Sequence, residues 1–261
     1  MRRYSGFTLI EIVVVMVIMG ITVVSVSGFV SQGALLMAEA SARVTLAQFT
    51  RNITERISRE VAGSIPYQTA VSRDENGNGV LSFREPLYVL RVYRVTEESG
   101  ADISKKYAYV YPSRGTDFAC DRIASSGKDR VSLLGVIRSS GNLAEKKLLS
   151  GHCAVSGNLI RLDVTGLDTD MGLDRVYLMN DWSRVSYTIS ADGYLFYHRG
   201  SSVTVINADG RNKVKKMFFE VPDGSGQQTA SHLNSVFMAL FTETDSETMS
   251  VEQLLEAENV L

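Results

Sequence analysis

The chain is poor in cysteine and proline, with two and four among 261 residues. Two cysteines are too few for a scaffold built on disulfides. Four prolines exclude a collagen-like or proline-rich rod in spite of the 21 glycines. There is no basic excess either: 27 Lys and Arg face 29 Asp and Glu, a formal charge of −2. A duplex-binding domain would concentrate positive charge, so no nucleic-acid partner is expected. Sequence signatures of hydrolase elbows, phosphate-binding loops and HExxH zinc helices are missing. The three histidines, His152, His198 and His232, are scattered. The chain therefore reads as a non-enzyme. With 44% apolar and 21% charged residues it is neither a disordered chain nor a polytopic membrane protein.

What stands out is one apolar run, FTLIEIVVVMVIMGITVV, from Phe7 to Val24. Eighteen residues make about 27 Å of helix, close to the hydrocarbon thickness of a bilayer. Arg2 and Arg3 precede it, and the next charges are Glu39 and Arg43. The positive-inside bias then keeps the amino end cytoplasmic and exports everything after the run. Beyond Gly28 the pattern turns amphipathic: Leu46, Phe49, Ile53, Ile57 and Val61 share one helical face, with Arg and Glu on the others. Gly63 is a natural stop and no proline intervenes before Pro66. The spacing predicts one helix from Phe7 to near Val61, about 80 Å long. Its second half is expected to pack on its own head, its first half on lipid or sister subunits.

From Tyr67 the signal is strand-like. Pro86–Val95 and Lys106–Pro112 are rich in β-branched and aromatic residues, and Val185–Arg199 reads as a hairpin about Asp192-Gly193. Val203–Arg211, Val214–Val221 and Leu233–Thr242 are further strand candidates, while the closing segment fits a strand or a helix. The fold class expected is α+β: a long amino-terminal helix packed on a mainly antiparallel β head.

The first eleven residues, MRRYSGFTLIE, join a short basic leader ending in Gly6 to Phe7, Thr8, Leu9, Ile10 and Glu11 at the head of the apolar helix. In this the chain closely resembles the type IV pilin and type II secretion pseudopilin superfamily. The resemblance implies cleavage by prepilin peptidase after Gly6 and methylation of the new terminus at Phe7. It also implies assembly through the helix, with Glu11 pairing the Phe7 amine of a neighbouring subunit. A mature chain of 255 residues with a charge of −4 follows from removal of residues 1–6. An ordinary secretory signal would put its cleavage site after the apolar region, and Ala40-Ser41-Ala42 lies too far downstream. A plain anchor has no use for Glu11.

The domains expected on this resemblance are a leader (1–6), the long helix (7–62, with 7–28 spanning the membrane) and a β-rich head (63–261). The VSYTISADGYLFYH run and the ETMSVEQLLEAENVL end look like those of larger minor pilins and J-type minor pseudopilins. Length and acidic tail most resemble the larger minor pilins of mannose-sensitive haemagglutinin (MSHA) pilus biogenesis. The implied function is a minor pilin in an initiation or tip complex. The implied partners are other pilin subunits, prepilin peptidase, the inner-membrane assembly platform and, before assembly, lipid. The implied location is the inner membrane, single-pass with a periplasmic head, then the pilus at the cell surface. Rival readings are a minor pseudopilin of a type II secretion system, a tip adhesin that binds glycan or a surface, and a periplasmic enzyme on an anchor.

Two further features concern the head. Cys120 and Cys153 in an exported domain are expected to form a disulfide, their flanks FACDR and GHCAV reading as strand ends; a zinc ligand pair of His152 and Cys153 is the rival. Residues 74–85, DENGNGVLSFRE, match the calcium-loop pattern D-x-[DN]-x-[DN]-G-x5-E. Asp74, Asn76, Asn78, Val80, Ser82 and Glu85 would be the ligands and Gly79 the sharp turn. No cofactor is required, and calcium is the one ion the pattern suggests. The competing reading is a polar hairpin whose Asn-Gly pairs supply positive φ angles, and Pro86 argues against an exiting helix. Arg211, Lys213, Lys215 and Lys216 are read as a solvated edge.

Overall fold

The computed structural model describes residues 8–99, 104–111, 120–123, 127, 129–138, 142–167, 173–222, 230–244 and 247–257. One helix opens the chain, α1 (Leu9–Ala62), 54 residues with Thr8 and Gly63 as its caps. Among the described residues sixteen strands follow in chain order. They are β1 (Thr69–Arg73), β2 (Gly79–Arg84), β3 (Tyr88–Ser99), β4 (Ser104–Val110), β5 (Leu133–Ile137), β6 (Leu143–Lys147), β7 (Cys153–Ser156) and β8 (Leu159–Asp163). Then come β9 (Arg175–Met179), β10 (Arg184–Ile189), β11 (Leu195–Arg199), β12 (Ser202–Val205), β13 (Lys213–Glu220), β14 (Ala230–Leu233), β15 (Ser235–Glu243) and β16 (Thr248–Glu256). All the ladders among the described strands are antiparallel. The arrangement is α+β and pilin-like in outline, a long helix laid on antiparallel sheets.

The strands form three sheets: β12-β11-β10-β2-β1-β14, β13-β15-β16, and β6-β5-β9-β3-β4-β8-β7. The first two share one core with the helix. Ile53, Ile57 and Val61 of α1 meet Leu81, Phe83, Tyr187 and Leu195 from the six-stranded sheet and Met217, Phe219, Met238 and Leu255 from the three-stranded sheet. Polar contacts lock the helix in place. The Thr50 and Thr242 hydroxyls lie 2.6 Å apart, Gln253 donates to Ser58, and the Tyr187 hydroxyl donates to Glu60 at 2.6 Å.

The seven-stranded sheet is built from one contiguous segment, β3 to β9, and has its own core around Leu90, Val110, Leu134, Ile160 and Leu178. This lobe is inserted between β2 and β10, which are direct antiparallel neighbours with Arg84 opposite Arg184. It sits where a hairpin loop would close that pair. Ile65, fully buried against Tyr177 and Met179, joins lobe to body. Lys146 on β6 reaches Asp163 on β8 at 2.9 Å, so strands near opposite ends of this sheet come together and it curls on itself.

The closing segment is a strand. Along β16, Met249, Val251, Gln253 and Leu255 turn towards the helix side while Leu254 is exposed, a period of two that helical spacing of Val251, Leu254 and Leu255 would break. The hairpin expected about Asp192-Gly193 is β10–β11, with Gly193 at φ +81°.

Candidate functional site

Two halves of α1 behave differently. From Leu46 on, the apolar face is buried in the head. From Thr8 to Thr45 the residues are exposed, apart from the half-buried Gly33 and Ala42. Ile12, Val14, Met16, Ile18, Met19 and Ile21 all stand in the open. The 37 helical residues from Leu9 to Thr45 make a rod of about 55 Å. Its most apolar 18-residue stretch has a mean hydropathy of 2.8, none of it buried, and it is long and apolar enough to cross a membrane. Such a surface in water would be an aggregation liability, so it demands lipid or other helices as its environment. Thr22, Ser25 and Ser27 return their hydroxyls to the backbone three or four residues earlier, which hides their polar groups along the rod.

Glu11 lies in the first turn of this rod, exposed on it. At a helix amino terminus a carboxylate is favoured by the macrodipole, but in an apolar layer it needs a cation. Gly6 and Phe7, the expected cleavage and methylation positions, lie outside the described residues.

Cys120 and Cys153 are joined in a disulfide with Cα atoms 5.6 Å apart. Cys153 begins β7, an edge strand of the lobe, as its flank suggested. Cys120 does not end a strand: it opens a short 3₁₀ turn, Cys120–Arg122. The bridge thus ties an irregular segment to a sheet edge, where few main-chain bonds would otherwise hold it. His152 is engaged locally, its Nδ1 accepting from the Leu149 amide at 3.3 Å. No group of three or more His, Cys, Asp or Glu side chains that could hold a metal occurs among the described residues.

The proposed calcium ligands are not brought together. Residues 74–78 are the turn of the β1–β2 hairpin, and the Asp74 carboxylate is taken up by the backbone amides of Asn76 and Asn78 at 2.9 and 2.7 Å. Gly77, at φ +77°, makes the turn that the pattern assigned to Gly79. Val80 and Ser82 are strand residues paired with Ser72 and Ala70. Glu85 lies beyond the far end of β2, about 20 Å along the strand, where it pairs with Arg199 at 2.9 Å. A calcium loop must curl back so that its twelfth residue meets its first. Here residues 79–84 are pulled straight because Gly79, Leu81 and Phe83 are core residues. Residues 74–85 are thus arranged as the β1–β2 hairpin, the competing reading of the same segment.

A charged group lies under the second half of α1. Glu60 accepts from Arg56 at 3.1 Å as well as from Tyr187, and the Arg56 guanidinium lies 4.8 Å from the centre of the Tyr197 ring. Burial pushes the Glu85 carboxyl above its ordinary range against the pull of Arg199, with Glu60 adding to the rise. Burial and the bond to Glu60 likewise raise the Tyr187 phenol. Glu60 and Arg56 thus brace the helix against Tyr187 and Tyr197 of the sheet.

A polar cleft of about 660 Å³ lies at the seam of lobe and body, lined among others by Arg84, Glu145, Trp182 and Arg184. No motif announces it, because its walls come from sequence positions a hundred residues apart.

Residues 1–27 match the prokaryotic N-terminal methylation motif, the prepilin signal of type IV pilin-like proteins. Neither a curated protein nor a solved structure matches the chain. The motif implies processing by prepilin peptidase and assembly with other pilins, and the apolar helix that carries it fits membrane anchoring.

Proposed function

We propose that the chain is a minor subunit of a type IV pilus, a structural protein incorporated through its amino-terminal helix. One observation carries this reading. A single unbroken helix has one half buried as the spine of the head and the other half largely apolar and bare. A mere anchor needs about 20 apolar residues, whereas this rod extends well past that and continues rigidly into the head. Sister helices in a filament would cover it along its whole length. The bulk of the inserted lobe favours a low-abundance place, at the tip or in an initiating complex, since it would crowd a uniform filament. The resemblance of the head to larger MSHA minor pilins points to that kind of pilus, and the same helix would equally serve a secretion pseudopilus.

Glu11 is the residue on which assembly turns in this reading. A carboxylate inside an apolar layer costs up to about 3 kcal/mol at mid-span, less near the interface, and pairing with the processed amine of a neighbour offsets it. Glu11→Ala should leave insertion and cleavage intact and reduce recovery of the chain in sheared filaments. Mass analysis of the mature chain should show a methylated Phe7 terminus. Recovery of the variant in filaments at wild-type levels would remove Glu11 from assembly. A wild-type chain that never leaves the inner membrane would remove the pilus reading, and co-purification with a secretion apparatus would move it to the pseudopilus.

A further inference from the structure

The outer face of the three-stranded sheet carries a pit that the core does not need. On β13 and β15, Met217, Phe219, Met238 and Leu240 point into the core shared with α1, so Phe218, Phe237, Ala239 and Phe241 face the other way. The strand register sets these residues in a square. Ala239 pairs with Phe218 on one side and Glu252 on the other, while Phe237 and Phe241 stand two residues before and after it. The small residue is therefore the floor, three phenyl rings are walls, and the Glu252 side chain is the fourth wall. Glu220, paired with Phe237, closes one corner. Together they line a cavity of about 380 Å³. The Phe218 and Phe241 rings meet edge to face at 5.9 Å, and Phe237, 47% exposed, stands at the open side.

The chemistry of the walls selects the occupant. Neither Glu220 nor Glu252 takes part in an ion pair among the described residues. Two carboxylates thus line the cavity against one cation, Lys216, which pairs with Phe241 at another corner. The balance repels an anion, and a neutral apolar group would strip water from both carboxylates without replacing it. A cation is drawn to a phenyl face within about 6 Å of its centre. Lys216 shows the attraction, with its Nζ 6.0 Å from the centre of the Phe218 ring. A primary ammonium or a guanidinium brings several N–H donors, and three phenyl walls leave most of them unpaired. A quaternary ammonium has no N–H. Its charge is spread over methyl groups that pack on the rings, and the carboxylates offset it without a hydrogen bond.

We propose that this pit binds a trimethylammonium group, with Phe218, Phe237 and Phe241 as the cage and Glu220 and Glu252 as the counter-charge. Such a group comes from a free choline-type cation or from the choline headgroup of a lipid. The inference goes beyond the filament reading and does not depend on it, because binding is a property of a single subunit. The test uses the full mature chain in dodecyl maltoside, since phosphocholine and betaine detergents would compete. Choline and phosphocholine are titrated by calorimetry and by saturation-transfer NMR on their methyl protons. Two controls run beside them: ethanolamine, which has N–H donors in place of the methyls, and dimethylbutanol, the uncharged carbon isostere of choline. Choline should bind with a Kd at least about tenfold below that of either control. Phosphocholine binding as tightly as choline assigns the group to a lipid headgroup, and weaker binding assigns it to a free cation. Ala239→Leu, which fills the pit from its floor, should abolish binding. Phe237→Leu and Glu252→Gln should each raise Kd about tenfold, all three variants keeping the melting midpoint. No choline binding up to tens of millimolar, a control that binds as well as choline, or full binding by Ala239→Leu overturns the proposal. Each of those results would leave the Glu11 test of filament assembly untouched.

Discussion

Gly79 is demanded by its neighbours rather than by its backbone. Its φ is not in the left-handed region, yet a Cβ built on it would stand 2.8 Å from the Met217 carbonyl oxygen and 2.7 Å from a Phe219 ring carbon. β13 crosses β2 at that point, and the carbonyl cannot step aside without moving a strand. Gly79→Ala should therefore cost about 1–3 kcal/mol as an overpacked site, seen as a fall in the urea midpoint; Gly77→Ala, in the open turn at φ +77°, tests backbone strain alone. Asp163 offers a second residue-level prediction. Burial works against its charge, but bonds from Lys146 and from the Thr165 hydroxyl and amide outweigh burial and lower its pKa to about 2. A carboxyl depressed on folding stabilises the protein above its ordinary pKa near 4 and loses that contribution as pH falls towards 2. Lys146→Met should thus destabilise the lobe at pH 6, and the gap between variant and wild type should close as the pH is taken from about 4 to about 2. A gap independent of pH would mean that Lys146 acts through packing.

On the scale of elements, α1 is one helix with two environments, and substitutions should sort by them. Ile57 is fully buried at the meeting of helix and both body sheets. Ile57→Ala should lower stability by about 2–5 kcal/mol through lost burial and the cavity left behind. Ile18, 58% exposed on the bare rod, should change head stability by less than about 0.5 kcal/mol when replaced by Ala, while still weakening filament incorporation. Thermal melts of both variants, beside their recovery in sheared filaments, read the two halves separately. The strands follow the same logic. Met249 to Leu255 alternate because β16 lies between the helix and water, so burial on one face selects the strand over a helix of similar composition.

At the scale of the whole molecule the head is a body with a lobe set into a hairpin. Arg84 and Arg184 face each other across β2 and β10, and the Glu85 amide still bonds the Ser183 carbonyl beyond them at 2.8 Å. Replacing residues 87–180 with a short glycine-containing turn should therefore leave a body that melts cooperatively and keeps α1 packed. Its midpoint should fall, because Ile65 loses Tyr177 and Met179. Calorimetry decides this: loss of any cooperative transition would show that the lobe is needed to fold the body. The disulfide lies wholly within the lobe, so reduction of the intact chain should lower the lobe's transition first.

Much of this architecture is legible in the sequence alone. The length of α1, its stop at Gly63, the face from Leu46 to Val61 and the change from bare to amphipathic helix all follow from local periodicity, which depends only on residues a few positions apart. The prepilin signal is legible for the same reason, as it is written within residues 1–27. The β10–β11 turn and the pairing of the chain's two cysteines are also local or compositional inferences. The lobe, the route of its seven strands and the cleft at its seam are not, because Arg84 and Arg184 become neighbours only through a ladder that spans a hundred residues. The calcium pattern shows the limit most sharply. Residues 74–85 satisfy a twelve-residue chelating loop one position at a time, yet Gly79, Leu81 and Phe83 also alternate as a strand. Leu81 and Phe83 are buried in the core shared with α1 and β13, and Gly79 lies against Phe219, contacts that exist only in the folded whole.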